Sequence, residues 1–303
     1  RITLYRRHCK SSAEIEELTM FKRKVNRSVG GTIVLFLFMA IVGVFTSIPL
    51  VYVVSNAFKP IDQLYIFPPP IFVTNPTSEH FTELIQLCSE YRVPLSRYVV
   101  NSLFISVVAV IGHVLLSSMA AYPLAKHKFP GKGFIRKIVV MSLLFTSAVT
   151  AIPQYVVMSK LHLLNTHWSI IFPMFMSSLG LYLMQNFMVQ INDSLIEAAR
   201  IDGAGEFRIY YSVIMPNCKP AWLTLLIFSF QQVWNNTGNL YIYDENLKTL
   251  PSLLSTVAAG SSSIARAGVS AAASLILVIP PVIIFLLTQS SVVETMSTSG
   301  MKD

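Results

Sequence analysis

The chain has 303 residues, 53% of them hydrophobic and 13% charged, with a mean hydropathy of +0.58. A soluble domain carries about a quarter of its residues as Asp, Glu, Lys and Arg. The composition therefore excludes a disordered chain, a collagen-like or disulfide scaffold and a soluble enzyme, and points to an integral membrane protein. The net charge of +8 fits basic residues retained in cytoplasmic loops. No DNA- or RNA-reading motif accompanies it, so no nucleic-acid partner is expected.

The first residue is Arg1, which reads as the loss of a short N-terminal piece. Residues 1–29 form a basic segment with Arg1, Arg6, Arg7, Lys10, Lys22, Arg23, Lys24 and Arg27. The first apolar run is too long for a signal-peptide core and reads as a retained span. Uncharged runs at Ser28–Phe58, Tyr98–Ala125, Ile138–Ser159, Leu161–Asn192, Pro220–Tyr243 and Ala267–Val293 follow one another. A crossing helix needs about 20 apolar residues. They predict six spans, at 31–55, 98–124, 138–158, 169–190, 220–240 and 269–289, within a membrane domain 30–290 and ahead of a tail 291–303. Between the first two spans, residues 56–94 hold six prolines. Proline fixes φ and removes a donor, so a rigid, mostly non-helical crossover is expected, with a short helix at Glu79–Leu87. Thr249–Ala265 is diluted by Ser and Gly and reads as a re-entrant or surface helix.

Orientation follows from Lys and Arg. Lys126, Lys128, Lys132, Arg136 and Lys137 crowd the connection after span 2 with no acid among them. An inside N-terminus places these and most other basic residues in the cytoplasm, together with both termini. Cys9 and Cys218 then face inward and Cys88 outward, which leaves three thiols without a disulfide or a metal-ligand spacing. Every acidic residue lies outside the six spans, which argues against a secondary transporter driven through a buried carboxylate.

The connection 192–220 is more than a linker. Ser194–Glu197 has the spacing of a capping box. The helix it starts runs to about Asp202, and Gly203 fits the left-handed position that ends it. Phe207, Tyr210, Tyr211 and Ile214 recur at three and four, giving a second helix an apolar face that Pro216 stops. Ala198 and Ala199 keep the first helix thin enough for a cleft, with Glu197, Arg200, Asp202, Glu206 and Arg208 around it. A helix lying on anionic lipid has a basic polar face. This segment mixes signs and fits a protein partner.

Glu197-Ala198-Ala199, Gly203, Val213 and Met215-Pro216 resemble the EAA motif of ABC-importer permeases, with Val213 and Met215 where the family usually has Ile and Leu. Asp202-Gly203-Ala204 is similar to the DGA form of carbohydrate permeases. Trp234-Asn235 and the C-terminal Met296, Gly300 and Lys302 point the same way. The resemblance covers essentially the whole chain and is to MalG-like permeases of the carbohydrate-uptake class, in the branch importing oligosaccharides. It implies an all-α membrane protein of the type I ABC importer permease kind, multi-pass in a bacterial cytoplasmic membrane. It implies that Glu197, Ala198, Ala199, Arg200, Asp202, Gly203, Ala204 and Pro216 form a coupling helix docked on a cytoplasmic ATPase dimer. A second, MalF-like permease and an extracytoplasmic solute-binding protein complete the implied set of partners. ATP and Mg would bind the partner ATPase, with no cofactor, metal or catalytic residue on this chain. A secondary transporter or a non-sugar ABC permease is the alternative.

The sequence agrees that energy enters through a partner. Gly131-Lys132 is followed by Gly133, so no phosphate-binding loop is formed. No nucleophile, metal or paired-carboxylate constellation supports an enzyme. Polar side chains within spans mark pathway candidates. They are Gln231, Gln232, Trp234, Asn235 and Asn236 in span 5, Gln154 and Tyr155 in span 3, and Gln185 and Asn186 in span 4. Amides and an indole face suit a sugar, and they equally suit interhelical bonds to the second permease. His113 reads as a packed, hydrogen-bonded histidine, with a proton relay as the alternative. Ala271–Ser274 reads as a close-packing surface.

Overall fold

The structure, a computed structural model, describes residues 29–68, 70–90, 93–258 and 267–299. The basic residues Arg1 to Arg27, Cys9, Gly300 and Lys302, and part of Thr249–Ala265, lie outside the described residues. The chain divides into two units, Arg1–Tyr52 and Val53–Asp303. The described part of the first is helical and belongs to α1 (Val29–Phe58). That helix is apolar on every side, as a membrane span is.

The second unit is all helix and connection among the described residues. It comprises α2 (Ile61–Leu64), α3 (Glu79–Glu90), α4 (Leu95–Lys126), α5 (Lys132–Ser142), α6 (Ser147–Lys160), α7 (Trp168–Phe175) and α8 (Ser178–Gln190). Then come α9 (Asp193–Ile201), α10 (Glu206–Ile209), a π-helical turn at Tyr210–Ile214, α11 (Met215–Asn217), α12 (Lys219–Trp234), α13 (Leu250–Ala258) and α14 (Ala267–Ser299). The central helix is α4, which packs against α7, α8 and α12, while α12 also packs on α14.

Four helices, Gly30–Phe58, Leu95–Lys126, Trp168–Gln190 and Ala267–Gln289, are long and apolar enough to cross a membrane. Two bent pairs bring the number to six if each is one span. The expected straight span at 138–158 is instead α5 and α6, set at 109° across residues 143–146. Apolar composition measures the length of a run and carries no information about its direction. The expected span at 220–240 stops at Trp234, and Glu206–Asn217 leads into it at 78°. Asn235 and Asn236 therefore stand beyond the helix end.

The crossover is partly helical. Glu79–Leu87 is helical as expected, extending to Glu90. Lys59 is buried and donates to Asn56 Oδ1 at 2.8 Å and to the Pro70 carbonyl, holding the proline run in place. The segment from Leu250 is no surface helix. Leu250, Leu253, Leu254 and Val257 are buried with Tyr98 of α4, Trp234 of α12 and Val269 of α14. Ser and Gly made the run look too polar to be core, but its apolar residues fall on one helical face. Cys88 and Cys218 are buried free thiols.

Candidate functional site

The segment between α8 and α12 begins with a cap two residues earlier than the sequence pattern implies. The Asn192 side chain accepts from the Ser194 N–H at 3.1 Å, so Asn192, and not Ser194, is the N-cap of α9. Either residue type suits a cap; Asn192 sits where the chain turns out of α8. At the other end Gly203 has φ +78° as expected. Its N–H reaches the Arg200 carbonyl at 3.0 Å, and the Ala204 N–H reaches the Ala199 carbonyl at 2.9 Å. This is a Schellman closure, in which glycine supplies the left-handed residue. It gives Ala199, Arg200, Gly203 and Ala204 a joint structural task.

Pro216 does not stop the second helix. The Met215 N–H reaches back five residues to the Tyr210 carbonyl. This wide turn accommodates the donor that Pro216 lacks. The apolar set also divides. Tyr210 and Ile214 are buried with Ile196 and Ile209 against Tyr122, Met184 and Met188. Phe207 and Tyr211 remain 74% and 71% exposed, and Ile201 is 87% exposed. Glu197, Ala198 and Asp202 are exposed on the same segment. Exposed apolar side chains beside charges are suited to burial against a partner or a membrane.

One face of α4 grips this segment. Ser118 Oγ and Tyr210 Oη share a hydrogen bond of 2.7 Å. Tyr122 Oη donates to Glu206 Oε2 at 2.7 Å, and His127 Nε2 lies 3.3 Å from the same oxygen. Glu206 Oε1 accepts from Arg200 Nη2 at 2.7 Å and Nε at 3.2 Å. Lys126 Nζ donates to Asp193 Oδ1 at 2.6 Å. Residues 118, 122 and 126 recur every four, on one side of a helix. They bind the π turn, the start of α10 and the start of α9 respectively. Hydrogen bonds from Tyr122 and then Arg200 hold the Glu206 carboxyl below its ordinary value. The Lys126 ammonium does the same to Asp193. Sequence reading missed these α4 residues; the signal available was their fourfold spacing within an apolar run.

A cavity of about 770 Å³ opens where α5 meets α6, α7 meets α8, and α12 ends. Of the residues singled out from sequence, Gln154, Gln232 and Asn236 line it. Missed residues complete the wall: Ser142, Ser147 and Thr150 at one helix break, Ser177 and Ser178 at the other, and Asn239 and Tyr241 after α12. Helix breaks expose polar side chains and backbone to a wet space, where they are tolerated at membrane depth.

The other candidates lie elsewhere. Trp234 is 2% exposed, stacked on Phe230 at 5.5 Å, and its Nε1 donates to the Leu277 carbonyl at 3.0 Å. It is core, because an indole in an apolar helix finds a backbone acceptor when one is in reach. Gln185 is buried, with Nε2 3.5 Å from the Leu124 carbonyl, and Asn186 is half-buried outside the cavity. Gln231 and Asn235 are exposed outside it. Tyr155 stacks on Tyr241 at 6.4 Å and its hydroxyl lies 3.1 Å from that of Tyr243, behind the cavity wall. His113 is buried between Ser229 Oγ at 2.8 Å and the Ser177 carbonyl at 3.3 Å, the packed histidine expected. For Trp234→Phe we expect about 1 to 3 kcal/mol of lost stability from the unmatched Leu277 carbonyl, read as a lower thermal midpoint, with half-saturation for substrate unchanged.

Residues 113–292 match the family of binding-protein-dependent transport system inner membrane components. The chain belongs to this family. Protein LplC of Bacillus subtilis is 30% identical over 239 residues, 77% of each chain. The arabinooligosaccharides transport system permease protein AraQ of Halalkalibacterium halodurans is 27% identical over 230 residues, covering 73% of this chain and 78% of AraQ. The solved structure of a bacterial ABC transporter that imports the acidic polysaccharide alginate has a TM-score of 0.72 at 20% identity. It covers 87% of this chain and 98% of its own, and shows a shared fold. The protein is thus an inner-membrane permease subunit of an ABC importer.

Proposed function

We propose that the chain forms one half of an oligosaccharide import pathway in a bacterial cytoplasmic membrane, with both termini inside. A homologous MalF-like permease supplies the other half, and an extracytoplasmic binding protein delivers the sugar. A cytoplasmic ATPase dimer, carrying ATP and Mg, docks on α9 and the exposed residues around Gly203. The names of the relatives support a saccharide, AraQ most directly.

The observation that carries the proposal is the linkage through α4. Its cytoplasmic end holds the α9–α10 segment at three points, Ser118, Tyr122 and Lys126. Its body packs on α7, α8 and α12, whose ends form the cavity. Force applied to α9 therefore has a packed route to the cavity wall. Packed helices shift between discrete arrangements and do not deform continuously. Closure of an ATPase pair on this segment would move α4 and reopen the cavity to the other side.

The test is Glu197→Lys in the chain co-expressed with its companion permease and ATPase. Glu197 is exposed and touches none of the α4 clamp, so membrane levels should match wild type. Co-purification of the ATPase and uptake should both fall at least tenfold. Wild-type uptake by this variant would refute docking through α9.

A further inference from the structure

The cavity lacks something that much of the saccharide world requires. Among the described residues, none of the side chains that line it is an Asp, Glu, Lys, Arg or His. Its polar groups are hydroxyls and amides, chiefly Ser142, Thr150, Gln154, Gln232, Asn236 and Asn239. Among them stand Phe145, Met174, Met176 and Tyr241. Hydroxyls and amides both donate and accept, as sugar hydroxyls do. Apolar and aromatic groups suit the C–H faces of pyranose and furanose rings. A carboxylate, sulfate or phosphate calls for a Lys point charge or an Arg fork.

Two cations stand beside the neighbouring connection, and neither lines the cavity. Lys248 pairs with Glu245 at 2.7 Å, and Glu245 also accepts from Tyr98 at 2.8 Å. Arg97 Nε donates to the Asn246 carbonyl at 3.2 Å. These bonds fix the connection between α12 and α13 to α4. The Glu245 carboxylate offsets the charge of Lys248, whereas Arg97, bonded to a neutral carbonyl, keeps its charge but stands outside the cavity lining.

We propose that this permease passes uncharged oligosaccharides and discriminates against acidic ones, such as oligouronides, by offering them hydroxyls and amides with no compensating cation. The inference rests on the reading of the cavity as a saccharide path and narrows it to one charge class. It sets this chain apart from its structural neighbour, which imports an acidic polysaccharide.

The experiment uses the complete transporter, with companion permease, ATPase and binding protein, in proteoliposomes. Mixed plant and microbial polysaccharide hydrolysates are separated by anion exchange into neutral and acidic oligosaccharide fractions. ATP hydrolysis and uptake are measured with each. The neutral fraction should stimulate ATP hydrolysis at least fivefold and the acidic fraction less than 1.5-fold. Gln154→Ala and Gln232→Ala, both away from the buried core, should each raise the half-saturating concentration of the neutral fraction at least fivefold.

Equal or greater stimulation by the acidic fraction overturns the charge assignment and leaves saccharide import standing. Stimulation by neither fraction overturns saccharide import, and the charge assignment with it. Stimulation by the neutral fraction with both alanine variants unchanged overturns the assignment of selectivity to this cavity.

Discussion

Replacing Glu206 with Ala should leave the ATPase docked and abolish uptake. The expectation separates binding of the motor from transmission of its movement. Glu206 is the junction of the clamp. One oxygen accepts from Tyr122 on α4, and the other accepts two hydrogen bonds from Arg200 at the end of α9. Removing it frees the C-terminal end of α9 from α4 and leaves only the Lys126–Asp193 bond at the start of α9, while the Schellman closure and the buried Ile196, Ile209 and Ile214 keep the fold of the segment. The ion pair itself adds little stability, since both partners are about half exposed and such pairs are worth about 0 to 1 kcal/mol. Its value is geometric. We expect co-purification of the ATPase within twofold of wild type, basal ATP hydrolysis retained, and a loss of at least tenfold in both uptake and substrate-stimulated hydrolysis. Glu206→Gln keeps an acceptor for Tyr122 and should fall between. A Glu206→Ala transporter with normal coupled uptake would show that movement reaches the cavity by another route.

The same carboxylate gives a pH dependence with a defined sign. Its folded value is depressed, first by the Tyr122 hydrogen bond and then by Arg200. A depressed carboxylate stabilises the fold above its unfolded value, and that contribution is lost as pH falls through the folded value. Uptake should therefore be insensitive to this group at neutral pH and decline only on acidification below the ordinary glutamate range. The decline should be absent from the residual uptake of Glu206→Gln.

How far the sequence reveals such a device depends on the kind of interaction. The helix end at Gly203 was legible because its chemistry is local. Gly203 and Ala204 close a turn begun at Ala199, and Gly203 does adopt the left-handed conformation its position demanded. The clamp was illegible because Tyr122 and Glu206 are 84 residues apart, and nothing local marks them as partners. Direction was lost in the same way. Residues 138–158 read as a span by apolar content, yet the chain turns through 109° within them, and that turn builds the cavity. Trp234 shows the converse error. Its amphipathic ring suits a sugar, but the free Leu277 carbonyl on α14 suits it as well, and only packing decides between them. Gln154, Gln232 and Asn236 stood out because amides in an apolar run need a wet or bonded environment, and all three line the cavity; the hydroxyls that share the wall are too common in membrane helices to stand out.

Gly180→Leu is expected to disable the protein without replacing any residue of the cavity wall. Gly180 lies in α8 where it crosses α4. A Cβ there would stand 2.3 Å from His113 Nε2 and 2.5 Å from Ser117 Oγ. Relief by motion of His113 is blocked, because the ring is 1% exposed and held by Ser229 and the Ser177 carbonyl. The helices must separate. Overpacking of this kind costs about 1 to 3 kcal/mol, and here the displaced helix also carries Ser178 and Leu179 of the cavity and Met184 and Met188 of the cluster under the coupling segment. One displacement therefore disturbs the cavity and the clamp together. We expect a lowered thermal midpoint in detergent, reduced membrane levels and a loss of uptake of at least tenfold. Gly133→Ala is the control. It stands in α5 with open space around its Cβ position, and alanine is favoured over glycine in a helix by about 0.5 to 1 kcal/mol. That variant should match or exceed wild-type stability. His113→Ala combined with Gly180→Leu should recover part of the lost stability by removing the obstructing ring. An unchanged thermal midpoint for Gly180→Leu alone would mean that α4 and α8 do not approach this closely in the membrane, and the packed route from α9 to the cavity would fail with it.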